Sequence, residues 1–204
     1  SLCDWSSDVC SSDLRGETII KAKKSRNHSE LIFKYLNLNI KTKKTKHFDL
    51  IKIKGGKKIK TFDYKIPSDI SSSAFFMVLT ALSENSKLLI KNVNINQSRI
   101  GVVTILKKMG VKINFEKKRI YKGEKIANIR ILGPKSLKAI NCPRNLNSGA
   151  IDEFLVIFLV AAKAKGVSYF KDLGELNQKE SPRLVWGNSI LNQMGIKTKL
   201  TNDS

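Results

Sequence analysis

One pattern is written three times along this chain, and a recurring unit constrains a fold more than any single residue does. The first copy runs Thr18-Ile19-Ile20-Lys21, then Ser25-Arg26-Asn27-His28-Ser29-Glu30, then Tyr35-Leu36-Asn37-Leu38-Asn39-Ile40. The second runs Leu88-Leu89-Ile90-Lys91, then Ser98-Arg99, then Leu106 and Met109-Gly110-Val111-Lys112-Ile113. The third runs Val167-Ser168-Tyr169-Phe170-Lys171, then Ser181-Pro182-Arg183, then Leu191 and Met194-Gly195-Ile196-Lys197. Each reads as a short β-run, a polar loop holding Ser and Arg, a helix of about ten residues and a second β-run. Arg26 precedes Leu36 by ten residues and Arg99 precedes Met109 by ten, while Arg183 precedes Met194 by eleven. Gly110 and Gly195 follow the last helical residue, where a left-handed backbone is cheapest for glycine. Asn37 holds the same place in the first copy, the next best choice.

Two copies are introduced by a more apolar helix. Residues 69–82 precede the second copy, with Asp69 as a natural N-cap, and residues 151–162 precede the third. Beyond their first turns both are apolar nearly all round, which predicts helices buried on every side. The segments 48–54, 112–115 and 126–132 mostly alternate apolar with polar residues, which predicts strands with one wet face. Helices inside and half-exposed sheets outside make an inverted α/β arrangement, built from βαβ-like units around a pseudo-symmetry axis. Pro67, between an expected strand at 62–66 and the Asp69 helix, marks the expected domain boundary, dividing the chain into 15–66 and 67–204.

The first fourteen residues, SLCDWSSDVCSSDL, differ in kind from the rest. They hold no lysine, five serines and two of the three cysteines, with no basic n-region and no apolar h-region, so they do not read as a signal peptide. They resemble translated sequencing-adapter read-through. Residues 1–14 are therefore expected to be non-native and the natural start to be missing.

The charge is extreme, with 38 Lys+Arg against 17 Asp+Glu and a net charge of +21, which raises a nucleic-acid or membrane partner as a function class. The distribution argues against it. Lysines run along nearly the whole chain, only seven of the cations are arginine, and the densest basic run, 41–60, has few aromatics for bases to stack on. Cys3, Cys10 and Cys142 make no even disulfide framework and no Cys-x-x-Cys pair, and His28 and His47 are too few for a histidine metal site. No apolar run reaches the eighteen or so residues of a membrane span. A reducing cytoplasm fits these features.

The most chemically loaded stretch is Glu175-Leu176-Asn177-Gln178-Lys179-Glu180-Ser181-Pro182-Arg183. Ser181 reads as an N-cap and Pro182 as the first helical residue, where a missing N–H costs nothing. The free N–H groups of that helix would then sit beside Lys179 and Arg183 as an anion pocket, with Glu180 an acid or base held among cations. The plain alternative is a solvated, charged loop with a well-made cap.

These residues resemble the 5-enolpyruvylshikimate-3-phosphate synthase family. Residues 66–76 (IPSDISSSAFF) resemble its domain crossover and the helix after it, and residues 92–109 (NVNINQSRIGVVTILKKM) its next unit. Residues 150–154 (AIDEF) match the helix carrying the family's aspartate, residues 175–183 its Lys-Glu-Ser-Asp-Arg signature, and residues 25–30 (SRNHSE) the last substrate-contacting segment of its first domain. The resemblance covers the chain from about Arg15 onward. It implies transfer of enolpyruvyl from phosphoenolpyruvate to the 5-hydroxyl of shikimate 3-phosphate, through a tetrahedral intermediate and with release of phosphate. It further implies a cytoplasmic monomer of the shikimate pathway, with no metal or organic cofactor and no nucleic-acid or membrane partner.

Carried over residue by residue, Asp152 would bind the shikimate hydroxyls and help remove the 5-hydroxyl proton. Lys179 would contact shikimate 3-phosphate, Glu180 would serve in proton transfer, and Arg183 would hold the phosphoenolpyruvate anion. Ser25 and Arg26 would hold the 3-phosphate. Glu153 is left structural, His28 is a loop or helix-start residue, and Arg99 stays open between a substrate role and a structural one. Three positions depart from the family: Asn177 stands where Arg is usual, Pro182 where Asp is, and Leu155 where Pro is common. The first domain of the family supplies a Lys-Ser motif near its N-terminus and a Gly-Asn-Ala-Gly loop, and its C-terminal end an Asp-His-Arg segment; no counterpart of these is expected among the 204 residues. The family's active site draws on both its domains, so this polypeptide alone is expected to show no enolpyruvyl transfer. A UDP-N-acetylglucosamine enolpyruvyl transferase fragment, a basic nucleic-acid-binding domain and a catalytically dead scaffold are the rival readings.

Overall fold

A break between Ile66 and Pro67 divides the computed structural model, which describes residues 15–23 and 25–201. One unit holds residues 15–66 together with Ile120–Lys125; the other holds Pro67–Arg119 and residues 126–201. The expectation about residues 1–14 lies outside the described residues.

In the first unit β1 (Glu17–Lys23), α1 (His28–Tyr35), β2 (Asn39–Lys44) and β3 (Phe48–Lys54) follow one another. The sheet has the order β1-β3-β2, with β3 antiparallel to both neighbours. Exposure along β1 alternates strictly, so Ile20 and Ala22 turn inward while Lys21 and Lys23 turn to water. Phe33 of α1, Leu38 and Ile53 form a small core against Ile20, Ile40 and Ile51. Asn37 ends α1 with φ 56, the left-handed conformation its position called for.

The strand expected at 62–66 is absent. The backbone there finds a side chain instead of a ladder: the Lys65 N–H donates to the Tyr121 hydroxyl at 3.0 Å. Phe62 and Tyr64 join Tyr35 and Tyr121 in a chain of rings whose successive centroids lie 6.1, 6.1 and 5.5 Å apart. His28, the first helical residue of α1, pairs through Nδ1 with the buried carboxylate of Glu124.

The second unit contains α2 (Ile70–Leu82), β4 (Lys87–Asn94), α3 (Gly101–Lys108), β5 (Lys112–Tyr121), β6 (Glu124–Leu132), α4 (Phe154–Lys163) and α5 (Arg183–Gln193), with the tip of the β5–β6 hairpin belonging to the first unit. Its sheet has the order β4-β6-β5. The central strand β6 is buried at Ile126, Ala127, Asn128 and Ile129 in succession, so the wet face expected for it is missing. Asn128 is satisfied at a bulge in β4, where its Oδ1 accepts the Asn92 N–H at 3.0 Å.

Helix α4 is the hub. It packs against α2, α3 and α5, which explains a sequence apolar on nearly every side. It begins at Phe154, so Ile151, Asp152 and Glu153 form a turn before it rather than its first turn. Helix α2 departs from the expectation of burial all round. Ile70, Ala74, Met77, Val78 and Ala81 are buried, while Phe75, Phe76 and Leu79 are each at least 60% exposed along one stripe. Its predicted cap is present: Asp69 Oδ2 accepts the Ser72 N–H at 2.7 Å.

The third copy of the repeat forms its helix but not its strands. Residues 167–171 make only an isolated parallel bridge, Asn141 with Tyr169, and residues 196–201 form no strand. Gly110 and Gly195 end α3 and α5 with φ of 98 and 78, as the repeat requires.

Cys142 is 5% exposed, and burial raises its thiol pKa against the opposing pull of Lys108. The thiolate is the reactive form, so iodoacetamide at neutral pH should label Cys142 at least about tenfold more slowly in the native chain than in urea. Site-resolved mass spectrometry checks this; equal rates would contradict the burial.

Candidate functional site

Two short segments meet in the second unit, and each is held by buried groups. The first is the turn before α4. The Gly101 N–H donates to the Gly149 carbonyl at 3.0 Å, and the Glu153 N–H to the Ala150 carbonyl at 3.0 Å. Only glycine fits at 101, because a Cβ there would stand 2.6 Å from the Gly149 carbonyl carbon and 2.8 Å from the Ala150 nitrogen. Glu153, 3% exposed, accepts from the Ser71 hydroxyl, and the Arg99 guanidinium donates to that hydroxyl and reaches Asp69 Oδ1 at 3.3 Å. Arg99 and Glu153 thus fasten the start of α2 to the start of α4. Both side chains are engaged in this link between the two helix starts.

The second segment is a 3-10 turn, Gly174–Gln178, followed by α5. Leu173 and Leu176, exposed by 1% or less, anchor it in the core. The Asn147 side-chain amide donates to the carbonyls of Lys171 at 2.8 Å and Asp172 at 3.1 Å, holding the approach to the turn beside the loop that leads to Asp152.

The helix start differs from its sequence reading. α5 begins at Arg183, and Pro182, not Ser181, occupies the cap position. Pro182 has φ −72 and ψ 73, and the Arg183 N–H donates to the Ser181 carbonyl at 2.7 Å, which is an inverse γ-turn that suits the fixed φ of proline. The next two N–H groups, of Leu184 and Val185, are taken by Asn177 Oδ1 at 3.0 and 3.3 Å. The Trp186 N–H donates to the Pro182 carbonyl at 3.0 Å. Every donor of the first turn is therefore occupied, and the expected pocket of free N–H groups does not exist. An anion here must be met by side chains.

Those side chains converge. Asp152 Oδ1 lies 3.7 Å from Lys179 Nζ and 3.9 Å from Arg183 Nη1, although more than twenty-five residues separate 152 from 179. The three side chains are about 27% exposed, enough to meet a ligand and too little to be ordinary surface residues. Arg183 Nη2 also donates to Glu180 Oε2 at 2.7 Å. Glu180 is 81% exposed, and its own backbone N–H together with the adjacent Arg183 guanidinium holds its carboxyl below the usual glutamate range. At neutral pH it is ionised, able to accept a proton and not to donate one.

Ser25 and Arg26 lie in the first unit, exposed on the loop between β1 and α1. Four of the six expected site residues thus come together in one unit, and two belong to the other. Among the described residues no group of three or more His, Cys, Asp or Glu side chains is placed to hold a metal ion, and no helix is long and apolar enough to cross a membrane. Sequence reasoning missed the role of Asn177. Its signal was a proline where a cap acceptor belongs, with an amide side chain five residues earlier.

The sequence pattern of EPSP synthase, 3-phosphoshikimate 1-carboxyvinyltransferase, matches residues 11–204. The chain is 40% identical over 190 residues to the 3-phosphoshikimate 1-carboxyvinyltransferase of Ruthia magnifica, covering 93% of this chain and 42% of that protein. It is 37% identical over 187 residues to the enzyme of the same name from Hydrogenovibrio crunogenus, covering 91% and 42%. A solved structure of EPSP synthase from Acinetobacter baumannii superposes with a TM-score of 0.86 at 38% identity, covering 93% of this chain and 42% of that one. The chain spans about two-fifths of the length of these relatives. With the match running through nearly all of its residues, and with the fold agreeing at an identity well above chance, this chain belongs to the EPSP synthase family.

Proposed function

We propose that this chain is part of an enolpyruvyl transferase, one that joins phosphoenolpyruvate to the 5-hydroxyl of shikimate 3-phosphate and releases phosphate. Residues 15–66 would be the last part of its N-terminal domain and residues 67–204 most of its C-terminal domain. The observation that carries the reading is the meeting of Asp152 with Lys179 and Arg183.

Both substrates are anions, so the site needs cations that screen charge without reacting. Arg183, planar and permanently charged, suits the carboxylate or phosphate of phosphoenolpyruvate, and Lys179 supplies a compact charge for shikimate 3-phosphate. Glu180 holds the Arg183 guanidinium where an incoming anion would bind. It is exposed, and displacing such a pair costs little. Asp152 is the acceptor through which the 5-hydroxyl would be oriented and lose its proton as its oxygen attacks the enol carbon. Glu180, ionised in the resting chain, would first take up a proton before passing one to the methylene carbon. Ser25 and Arg26 would hold the 3-phosphate.

The test is a chimera in which residues 15–201 replace the matching part of a full-length relative. It should release phosphate from phosphoenolpyruvate only when shikimate 3-phosphate is present. No release with that acceptor, or release with UDP-N-acetylglucosamine in its place, would refute the proposal.

A further inference from the structure

Asn177 and Pro182 lie five residues apart at the approach to α5, and the geometry joins them. Pro182 stands at the cap position of α5 with no side-chain acceptor to offer, so the helix's second and third N–H groups would be unmet. Asn177 meets both with one oxygen, at 3.0 and 3.3 Å, in the way an N-cap side chain does. An aspartate at 182 would carry that acceptor itself. Here the acceptor lies five residues back, in the 3-10 turn.

We propose that Asn177 is the positioning residue for Lys179 and Arg183. It rests on the reading of those two cations as the anion-binding pair. Behind Asn177, the fully buried Leu176 fixes the turn. Ahead of it, the two hydrogen bonds fix the first turn of α5. Residues 178–182 thus form a short loop closed at both ends, with Lys179 inside it and Arg183 immediately beyond. Closure limits the paths open to the loop and keeps both cations on the Asp152 side. Without the bonds the largely exposed loop would part from the helix, and each ligand would have to gather the cations at an entropic cost.

The experiment follows the isotopically labelled 204-residue chain by NMR, reading amide exchange at Leu184 and Val185 and the Arg183 Nε–H resonance. Asn177→Ala should speed exchange at both amides about fivefold to tenfold. It should also move the Arg183 resonance toward that of a fully solvated arginine. Adding Pro182→Asp to Asn177→Ala should restore both. Faster exchange with an unmoved Arg183 would make Asn177 a structural cap only and overturn the proposal, as would unchanged exchange. If Asn177→Ala does not fold, Asn177→Asp, which keeps the acceptor oxygen, and Asn177→Gln, which displaces it by one methylene, decide together. Faster exchange and a moved Arg183 resonance in Asn177→Gln, with neither in Asn177→Asp, support the proposal; an Arg183 resonance native in both variants overturns it. Phosphoenolpyruvate is then added to the unaltered chain. An Arg183 resonance that moves on this addition would support both the positioning role and the enolpyruvyl reading. Phosphate release by the chimera tests the enolpyruvyl reading separately, because the positioning result needs no ligand.

Discussion

Asp152→Asn in the active chimera is expected to lower kcat by about 10²–10⁴-fold, the usual worth of a positioned general base. The substitution keeps the size of the side chain and removes only its charge and basicity. Lys179 and Arg183 lose the carboxylate they share at 3.7 and 3.9 Å, so anion binding should weaken little or even tighten, and KM for phosphoenolpyruvate should not rise. Glu153→Gln is the control. Glu153 is 3% exposed and accepts from Ser71, so its loss should appear as instability of about 1–3 kcal/mol with kcat nearly intact. Steady-state kinetics on the two variants separate the roles. A chimera with Asp152→Asn that turns over normally would remove Asp152 from the reaction.

Phe154→Ala should cost about 3–5 kcal/mol of stability. The ring is fully buried, two residues after Asp152, and packs against Phe158 and edge-on against Phe170 with centroids 6.0 and 5.9 Å away. Truncation leaves a ring-sized cavity at the hub helix. For a domain of this size the loss corresponds to a fall in Tm of roughly 6–20 °C, measured by calorimetry. Phe75→Ala, at a residue of the same type that is 64% exposed on α2, should shift stability by no more than about 0.5 kcal/mol. Equal effects at the two positions would contradict the packing described for α2 and α4.

That contrast shows where hydropathy stops being informative. Beyond their first turns the helices at 70–82 and 154–163 both read as apolar nearly all round, yet α4 has helices around it and α2 leaves Phe75, Phe76 and Leu79 in water. A hydrophobic residue does not state which neighbour will cover it. The same limit applies to strands. The alternation in 126–132 reads as a half-wet strand, but β6 is the middle strand of its sheet and is buried at four successive positions. The third repeat copy carries the β-rich residues of the other two without their strands, because a strand exists only where another backbone pairs with it.

Local chemistry was legible wherever it is decided within a few residues. The Asp69 cap, the left-handed Asn37, Gly110 and Gly195, and the helices of all three repeat copies depend on backbone sterics and near-neighbour hydrogen bonds, and each could be read in order along the chain. The motifs carrying Asp152, Lys179, Glu180 and Arg183 were equally visible, because charged residues cluster there at recognisable spacing. What only the tertiary structure decided is how they are held: Asp152 facing two cations across more than twenty-five residues, Glu153 tied through Ser71 to Arg99, and α5 capped by Asn177 instead of Ser181. Those are contacts between segments distant in sequence or folded back on themselves. Their energies depend on distances that no single stretch of sequence contains.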